Sequence, residues 1–480
     1  MNTPAPPPAA LSDDAVRACI DVLRAIEADR SVLTQLAPER RRELLILAGL
    51  VAKPERHDLV KMAKAFRRAD RAAARERDRE LLQRTGLRLQ RRAARFTPLW
   101  LPEPQSAAGC ESGPALDQAL NCYVCKQPFR QPHRFYDSLC RECGEYNYVK
   151  RSQSADLTGH CALVTGARVK IGFQAALKLL RAGARVIVTT RFPVDAAERY
   201  AAEADYARFS SRLQIHGLDL RHSPSVEQFS RHLLQALPRL DYILNNACQT
   251  VRRPAAFFAH LLEKEAAPLA SLPAVLQGPL LAQGIRPGVP MRASGLLHDD
   301  EQLFPTHRYD EDQQQVDLRT VNSWRLRLHE VDTPELLEVH LVNAIAPYIL
   351  NARLKPLMLA TPGAHKHIVN VSAMEGQFYR TTKTERHPHT NMAKAALNMM
   401  TRTSAPDYFR DGIHMNAVDT GWVTDEDPAV HAARKAELGF APPLDIIDGA
   451  ARIVDPIFEG HRTGTHVWGQ FLKDYRPAPW

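Results

Sequence analysis

Four cysteines stand in two close pairs, Cys122/Cys125 and Cys140/Cys143, each spaced Cys-x2-Cys with fourteen residues between the pairs. Each pair suits a tight knuckle whose thiolates point to one side, and two knuckles complete a tetrahedron around zinc. With all four corners thiolate, no position is open to substrate, so the spacing predicts a structural ion. Tyr123, Phe129, Phe135, Tyr136, Tyr146 and Tyr148 surround the pairs and could wall the ion off. His133, inside the gap, reads as a surface residue.

A second constellation follows. The run Val164-Thr165-Gly166-Ala167-Arg168-Val169-Lys170-Ile171-Gly172-Phe173 closes a strand-like segment and opens a helical one, Gln174 to Arg181. A strand, a glycine-containing turn and a helix N-terminus together cradle a pyrophosphate. The next strand-like run, Arg185 to Thr190, ends without the carboxylate that would accept hydrogen bonds from the adenosine ribose of NAD. Arg191 follows Thr190 directly, and a guanidinium there can grip a 2′-phosphate. The expected dinucleotide is therefore NADP.

From residue 157 to 480 these features and others occur in the order of the short-chain dehydrogenase/reductase family, which the chain resembles. The Thr-Gly-x-x-x-Gly-x-Gly motif of that family is matched by Thr165, Gly166 and Gly172, with Lys170 at the middle glycine and Ile171 between. Arg168 resembles a second basic residue of NADP-using members. Asp219, in Leu218-Asp219-Leu220, is similar to the segment that contacts adenine. Asn245-Asn246-Ala247 resembles the Asn-Asn-Ala-Gly signature, with Cys248 in the glycine position. Asn416-Ala-Val-Asp-Thr-Gly421 resembles the Pro-Gly turn beside the nicotinamide, with Thr420 in place of proline. The resemblance implies cofactor contacts at Gly166, Arg168, Lys170, Ile171, Gly172, Arg191, Asp219, Asn246, Ala247 and Lys394. It also implies a catalytic set of Asn343, Ser372 and Lys394.

One member of that set is missing. The family's proton-carrying tyrosine, four residues before the lysine, is here Thr390. A phenol near pKa 10 can be tuned by a neighbouring ammonium, whereas an aliphatic hydroxyl cannot act as a simple general acid. Tyr379 is taken as the replacement, with His387 and His389 as alternatives. Two readings stand: an NADP-dependent oxidoreductase of a carbonyl/alcohol pair on an unidentified small molecule, or a catalytically degenerate NADP-binding scaffold or sensor. A nucleic-acid-associated role is a third.

These residues need elements to hold them. Six strand-like runs, His160 to Thr165, Arg185 to Thr190, Leu213 to Gly217, Tyr242 to Asn245, His367 to Val371 and Ile413 to Val418, alternate with amphipathic helical runs. That alternation predicts an α/β, doubly wound parallel sheet of Rossmann type. Between residues 250 and 334 the pattern fails, and an insertion with its own helices is expected to form a lid. The expected organisation is a basic helical module over 1–100, a four-cysteine zinc module over 101–150 and the Rossmann-like domain over 151–480.

Of 480 residues, 45% are hydrophobic and 24% charged, the balance of a globular chain. Lys and Arg outnumber Asp and Glu by 63 to 54, and residues 61–95 alone, with thirteen against four, account for that surplus. Lys64, Arg68, Arg71, Arg75 and Arg79 fall on one helical face, either as a solvated surface or as a contact for an acidic partner or nucleic acid. No run approaches the roughly 18 apolar residues of a membrane span. The amino terminus lacks the pattern of a secretory signal. A cytoplasmic protein is expected, with no membrane contact and, as the family resemblance implies, a homo-oligomeric state.

Overall fold

The computed structural model describes residues 11–92, 114–267, 269–281, 302–305, 307–310, 312–379 and 383–480. Cys110 and residues 282–301 of the expected insertion lie outside the described residues. The chain divides into two compact units, residues 1–76 and 77–480.

The first unit is helical. α1 (Asp13–Ala28) is capped by Ser12, whose Oγ accepts from the Ala15 amide, with Asp13 and Asp14 on the first turn where the helix dipole favours them. α2 (Pro38–Ala52) starts with proline at its first position, where the missing N–H costs nothing. α3 (Arg56–Gln83) carries the basic stripe, all five of whose side chains are exposed.

In the second unit α4 (Gly86–Arg91) leads into a small module. Its strands β1 (Leu120–Asn121) and β2 (Pro128–Phe129) pair antiparallel, and α5 (Arg141–Ser152) begins at Cys140. Then come β3 (Cys161–Thr165), α6 (Lys170–Arg181), β4 (Arg185–Thr190), α7 (Pro193–Ala201), α8 (Tyr206–Phe209), β5 (Leu213–Gly217), α9 (Ser223–Ala236) and β6 (Tyr242–Asn245). The interruption holds α10 (Ala259–Glu265) and α11 (Ala274–Leu281). After it run α12 (Thr333–His340), α13 (Ala346–Ala360), β7 (Lys366–Ser372), α14 (Pro388–Arg410) and β8 (Ile413–Asp419). The chain closes with α15 (Ala429–Glu437), α16 (Ile446–Thr463), β9 (Phe471–Lys473) and β10 (Arg476–Ala478).

The large sheet has the order β10-β9-β8-β7-β6-β3-β4-β5, parallel throughout except for the β9/β10 pair. Strands β3 to β8 are buried on both faces, as their apolar runs demand. One face packs on α6, α7 and α16 through Leu177, Leu180, Ile453 and Ile457. The other packs on α9, α13 and α14 through Phe229, Leu350, Leu354 and Ala405. This is the doubly wound α/β fold expected from the sequence. The six expected strands form within a residue or two of their limits, whereas the short β9 and β10 gave no signal. Strand order reverses between β3 and β6, which opens a crevice at the C-terminal ends of the strands.

The cysteine module shares a core with this fold: Phe135, Tyr136 and Leu139 pack with Val423, Leu444, Ile446 and Ile447. Beneath them lies an ionic network. Arg151 pairs with Asp445 at 2.7 Å and Asp448 at 2.9 Å, and Tyr136 donates to Asp448 at 2.5 Å. Burial opposes the charge on Arg151, but the two carboxylates outweigh it and hold its pKa well above the usual value.

Candidate active site

The crevice is built from the first turn outward. Gly166 sits at φ +66°, and a Cβ there would come within 2.8 Å of the Ala247 backbone. A Cβ on Gly172 would lie 2.2 Å from Asn246 Nδ2 and 2.4 Å from the Gly166 carbonyl. Only glycine fits either position. Asn246 Nδ2 donates to the carbonyls of Thr165 and Gly166, and the Ala247 amide donates to Thr165 Oγ1, so the segment after β6 clamps the turn. Lys170 adopts a left-handed backbone, φ +54°, which is what the family's glycine would supply. Its ammonium lies 3.6 Å from Asp312, on the interruption. Burial works against that charge, but Asp312, Glu426 and Asp310 overcome it and raise the pKa above its usual value. Ile171 packs against Gly449 of α16.

At the end of β4, Arg191 lies over the ring of Phe258, 4.6 Å from its centre. Burial, with Arg221 and Arg168 adding repulsion, pushes its guanidinium down to about 10. The two neighbours are already committed. Arg168 is buried and bonds Asp195 at 2.7 Å, and Arg221 grips Asp219. The interruption walls this corner: Phe257, Phe258, Leu261 and Phe304 pack on Phe192, and Gln314 accepts from Arg168.

The expected catalytic residues gather on the other side of the crevice. Ser372 ends β7, is 3% exposed, and donates to Asn398 Oδ1 at 2.6 Å. Lys394, one turn earlier on α14, donates to the Val371 carbonyl at 2.8 Å. Asn343 occupies a π-helical turn, Leu341–Ile345, a distortion common at functional sites. It exchanges two hydrogen bonds with the backbone of Gln249, so the segment after β6 is tied to it. Asn398 escaped the sequence reading, although its i+4 spacing from Lys394 puts both on one helix face. Behind them Asn245, Asn351, Asn370 and Thr401 form a buried amide network that holds β6, β7, α13 and α14 in register.

The structure does not bring Tyr379 to Ser372: its side chain is 77% exposed beyond the end of β7. Thr390 is 2% exposed, and its hydroxyl has no hydrogen-bond partner among the described residues. His389 is also buried and faces α12, where Glu335 and His340 act on it. His387 stacks flat on Trp324 with ring centres 4.0 Å apart.

The chain matches the short chain dehydrogenase family over residues 160–266 and the enoyl-(acyl carrier protein) reductase family over residues 320–438. Protein R665 of Acanthamoeba polyphaga mimivirus, itself uncharacterized, is 33% identical over 363 residues, covering 73% of this chain and 74% of its own. Residues 160–266 and 320–438 thus carry short-chain dehydrogenase/reductase family domains. By those domains the chain is an NAD(P)-dependent oxidoreductase. Human dehydrogenase/reductase SDR family member 13 is 35% identical over 105 residues, 21% of this chain and 28% of its own length. The chain thus spans less than a third of that relative. A Burkholderia cenocepacia short chain dehydrogenase in complex with NADP superposes with a TM-score of 0.43 at 18% identity, covering 66% of this chain and 96% of the other.

The cysteine cluster stands outside both matched regions. Its four sulfur atoms all lie within 4.8 Å of one another. The Cys140 amide donates to Cys122 Sγ at 3.4 Å, and the Lys126 amide closes the first knuckle on the Cys122 carbonyl. Burial opposes a thiolate on Cys122, but the amides of Cys140, Cys125 and Val124 prevail and lower its pKa. His133 is not the surface residue expected: it is buried, packs on Gly144, and bonds Glu145 at 3.1 Å. Among the described residues no helix is long and apolar enough to cross a membrane.

Proposed function

We propose that the chain is NADP-dependent and interconverts the carbonyl and alcohol forms of a small-molecule substrate. The observation that carries this reading is the corner at the end of β4, where Arg191 follows Thr190 and where Arg221 and Arg168 add positive charge that Asp219 offsets in part. A 2′-phosphate suits that corner, and NAD has none. The glycine cradle at Gly166 and Gly172 fits a pyrophosphate, with Asn246 and Ala247 fixing the turn and Lys170 and Ile171 lining it. Asp219 orients Arg221 beside the adenine side.

NADPH would supply the hydride. Ser372 turns its hydroxyl from Asn398 to the substrate oxygen and polarises the carbonyl. Lys394, now bonded to the Val371 carbonyl, would hold the nicotinamide ribose, and Asn343 keeps the segment after β6 in place. Tyr379, the one tyrosine between Ser372 and Lys394, would have to swing in from the surface to deliver the proton to the alkoxide. A second reading, cofactor binding without turnover, is favoured by Thr390, whose buried hydroxyl stands where the phenol would begin.

The four cysteines hold a structural zinc ion in this proposal. The ion stiffens the module against residues 421–447, where the Trp422 amide donates to Tyr123 Oη at 2.9 Å. Thiolate ligands fit a reducing compartment, so we place the protein in the cytoplasm. Exposed Ile345, Tyr348, Met392 and Met399 around the catalytic segment suit a homo-oligomer, and the exposed basic face of α3 suits an acidic partner.

The test is direct. Unmodified protein should bind NADP(H) more tightly than NAD(H) in calorimetry. Ser372→Ala and Tyr379→Phe should each lower turnover with a carbonyl panel while leaving NADP(H) affinity nearly unchanged. An inert parent that gains reductase activity on Thr390→Tyr would replace the first reading by the second.

A further inference from the structure

Far from the crevice, six histidines converge at the amino ends of the strands. His367 and His414 are register partners at the starts of β7 and β8, so their side chains leave the sheet on the same face. His461 lies in the last turn of α16, and His466 follows the left-handed Gly464 that ends that helix. His365 and His160 complete the group, with the His160 ring 5.0 Å from that of His461.

The segment carrying His466 is fastened to β8. Asn416 Nδ2 donates to the Val467 carbonyl, the Gln470 amide donates to Asn416 Oδ1, and the Gly469 amide donates to the Met415 carbonyl. His466 is thereby held over the two strand histidines. His367, His414 and His466 each offer a ring nitrogen, and these atoms all lie within 4.8 Å of one another. His367 Nε2 and His466 Nδ1 are 2.9 Å apart. Two nitrogens bound to one zinc at about 2.0–2.1 Å in tetrahedral geometry sit roughly 3.4 Å apart, a shift of a few tenths of an ångström.

The surroundings match what ligand imidazoles require. His414 Nδ1 meets the Lys366 carbonyl at 3.1 Å, which directs Nε2 to the cluster, and His466 Nε2 meets His365 Nδ1 at 2.7 Å. Such outer bonds fix ring orientation at metal sites. His367 is wholly buried, with its Nε2 turned to His466. Gly460 supports the same geometry, because a Cβ there would lie 2.3 Å from His466 Nδ1.

We propose that His367, His414 and His466 bind one divalent ion of the zinc class at the amino ends of β7 and β8. A ligand set of imidazoles alone suits zinc, copper or nickel and does not suit magnesium or calcium, which take oxygen. The ion ties α16 and the segment after it to the sheet. Its role is structural, because the crevice lies at the opposite ends of the same strands.

Zinc per chain, measured by elemental mass spectrometry on tag-free full-length protein, tests this without reference to activity. His466→Gln, in a half-exposed loop position, should hold one equivalent fewer than the parent, and Gly460→Ala should show the same deficit. Cys143→Ser should leave the histidine equivalent in place. The parent should hold two equivalents, or one if the cysteine site is empty; in either case the loss on His466→Gln supports the proposal. Equal zinc in parent and His466→Gln, or no zinc in the parent after incubation with the ion, overturns it. Cobalt(II) gives a second readout on the Cys143→Ser protein. Binding at the histidines should add ligand-field bands that His466→Gln in the same background lacks, and no difference between the two overturns the assignment.

Discussion

Replacing Arg191 by alanine should separate the two dinucleotides. Its guanidinium lies half-buried over Phe258 at the end of β4, with Arg168 and Arg221 close by. Those two cannot take over the phosphate, because Arg168 bonds Asp195 at 2.7 Å and Arg221 bonds Asp219. Losing one charge-assisted hydrogen bond costs about 1.5–3 kcal/mol. That is roughly a ten- to hundredfold loss of affinity. Arg191→Ala also removes packing on Phe258, but that loss falls on both dinucleotides alike. Calorimetric titration of parent and variant with NADP(H) and NAD(H) should therefore show a selective weakening of NADP(H) by that factor. Equal weakening of both would show that Arg191 packs the corner and does not read the phosphate, and tighter NAD(H) binding by the parent would refute the cofactor assignment outright.

Three other outcomes follow from the same geometry. Arg151→Ala strands Asp445 and Asp448 in the shared core and should cost about 3–5 kcal/mol; a urea midpoint unchanged from the parent would contradict the network's role. Chelation or Cys143→Ser should unfold the cysteine module, since structural zinc supplies about 10–16 kcal/mol to such folds. The loosened 421–447 segment should lower turnover more than NADP(H) affinity, so unchanged Trp422 fluorescence and activity would argue against the brace. Burial opposes ionisation of Asp195, but Arg168 and Arg199 hold its pKa at about 2, below the usual 3.8. Its contribution, roughly 2 kcal/mol, is full above about pH 4 and is lost as pH falls through about 2. The stability gap between parent and Asp195→Asn should narrow by roughly 1 kcal/mol from pH 5 to pH 3, and a constant gap would remove Asp195 from the acid response.

The parallel sheet was legible in the sequence because strands buried on both faces must be apolar along their length, and length and apolarity are local properties. The cysteine spacing and the glycine turn were legible for a similar reason: a knuckle or a tight turn is specified within a few residues. Tertiary structure decided the rest. Arg168 reads as a phosphate ligand until α7 places Asp195 against it. Lys170 gains its counterion from Asp312, and Tyr379 turns outward while Asn398 takes the hydroxyl of Ser372. The histidines at 367, 414 and 466 carry no mutual signal in one dimension, since three segments meet only when β7, β8 and the end of α16 pack. Composition and spacing fix what each segment can form. Which charges pair, and which side chains share a site, depends on contacts between residues far apart in the chain, and only packing sets those distances.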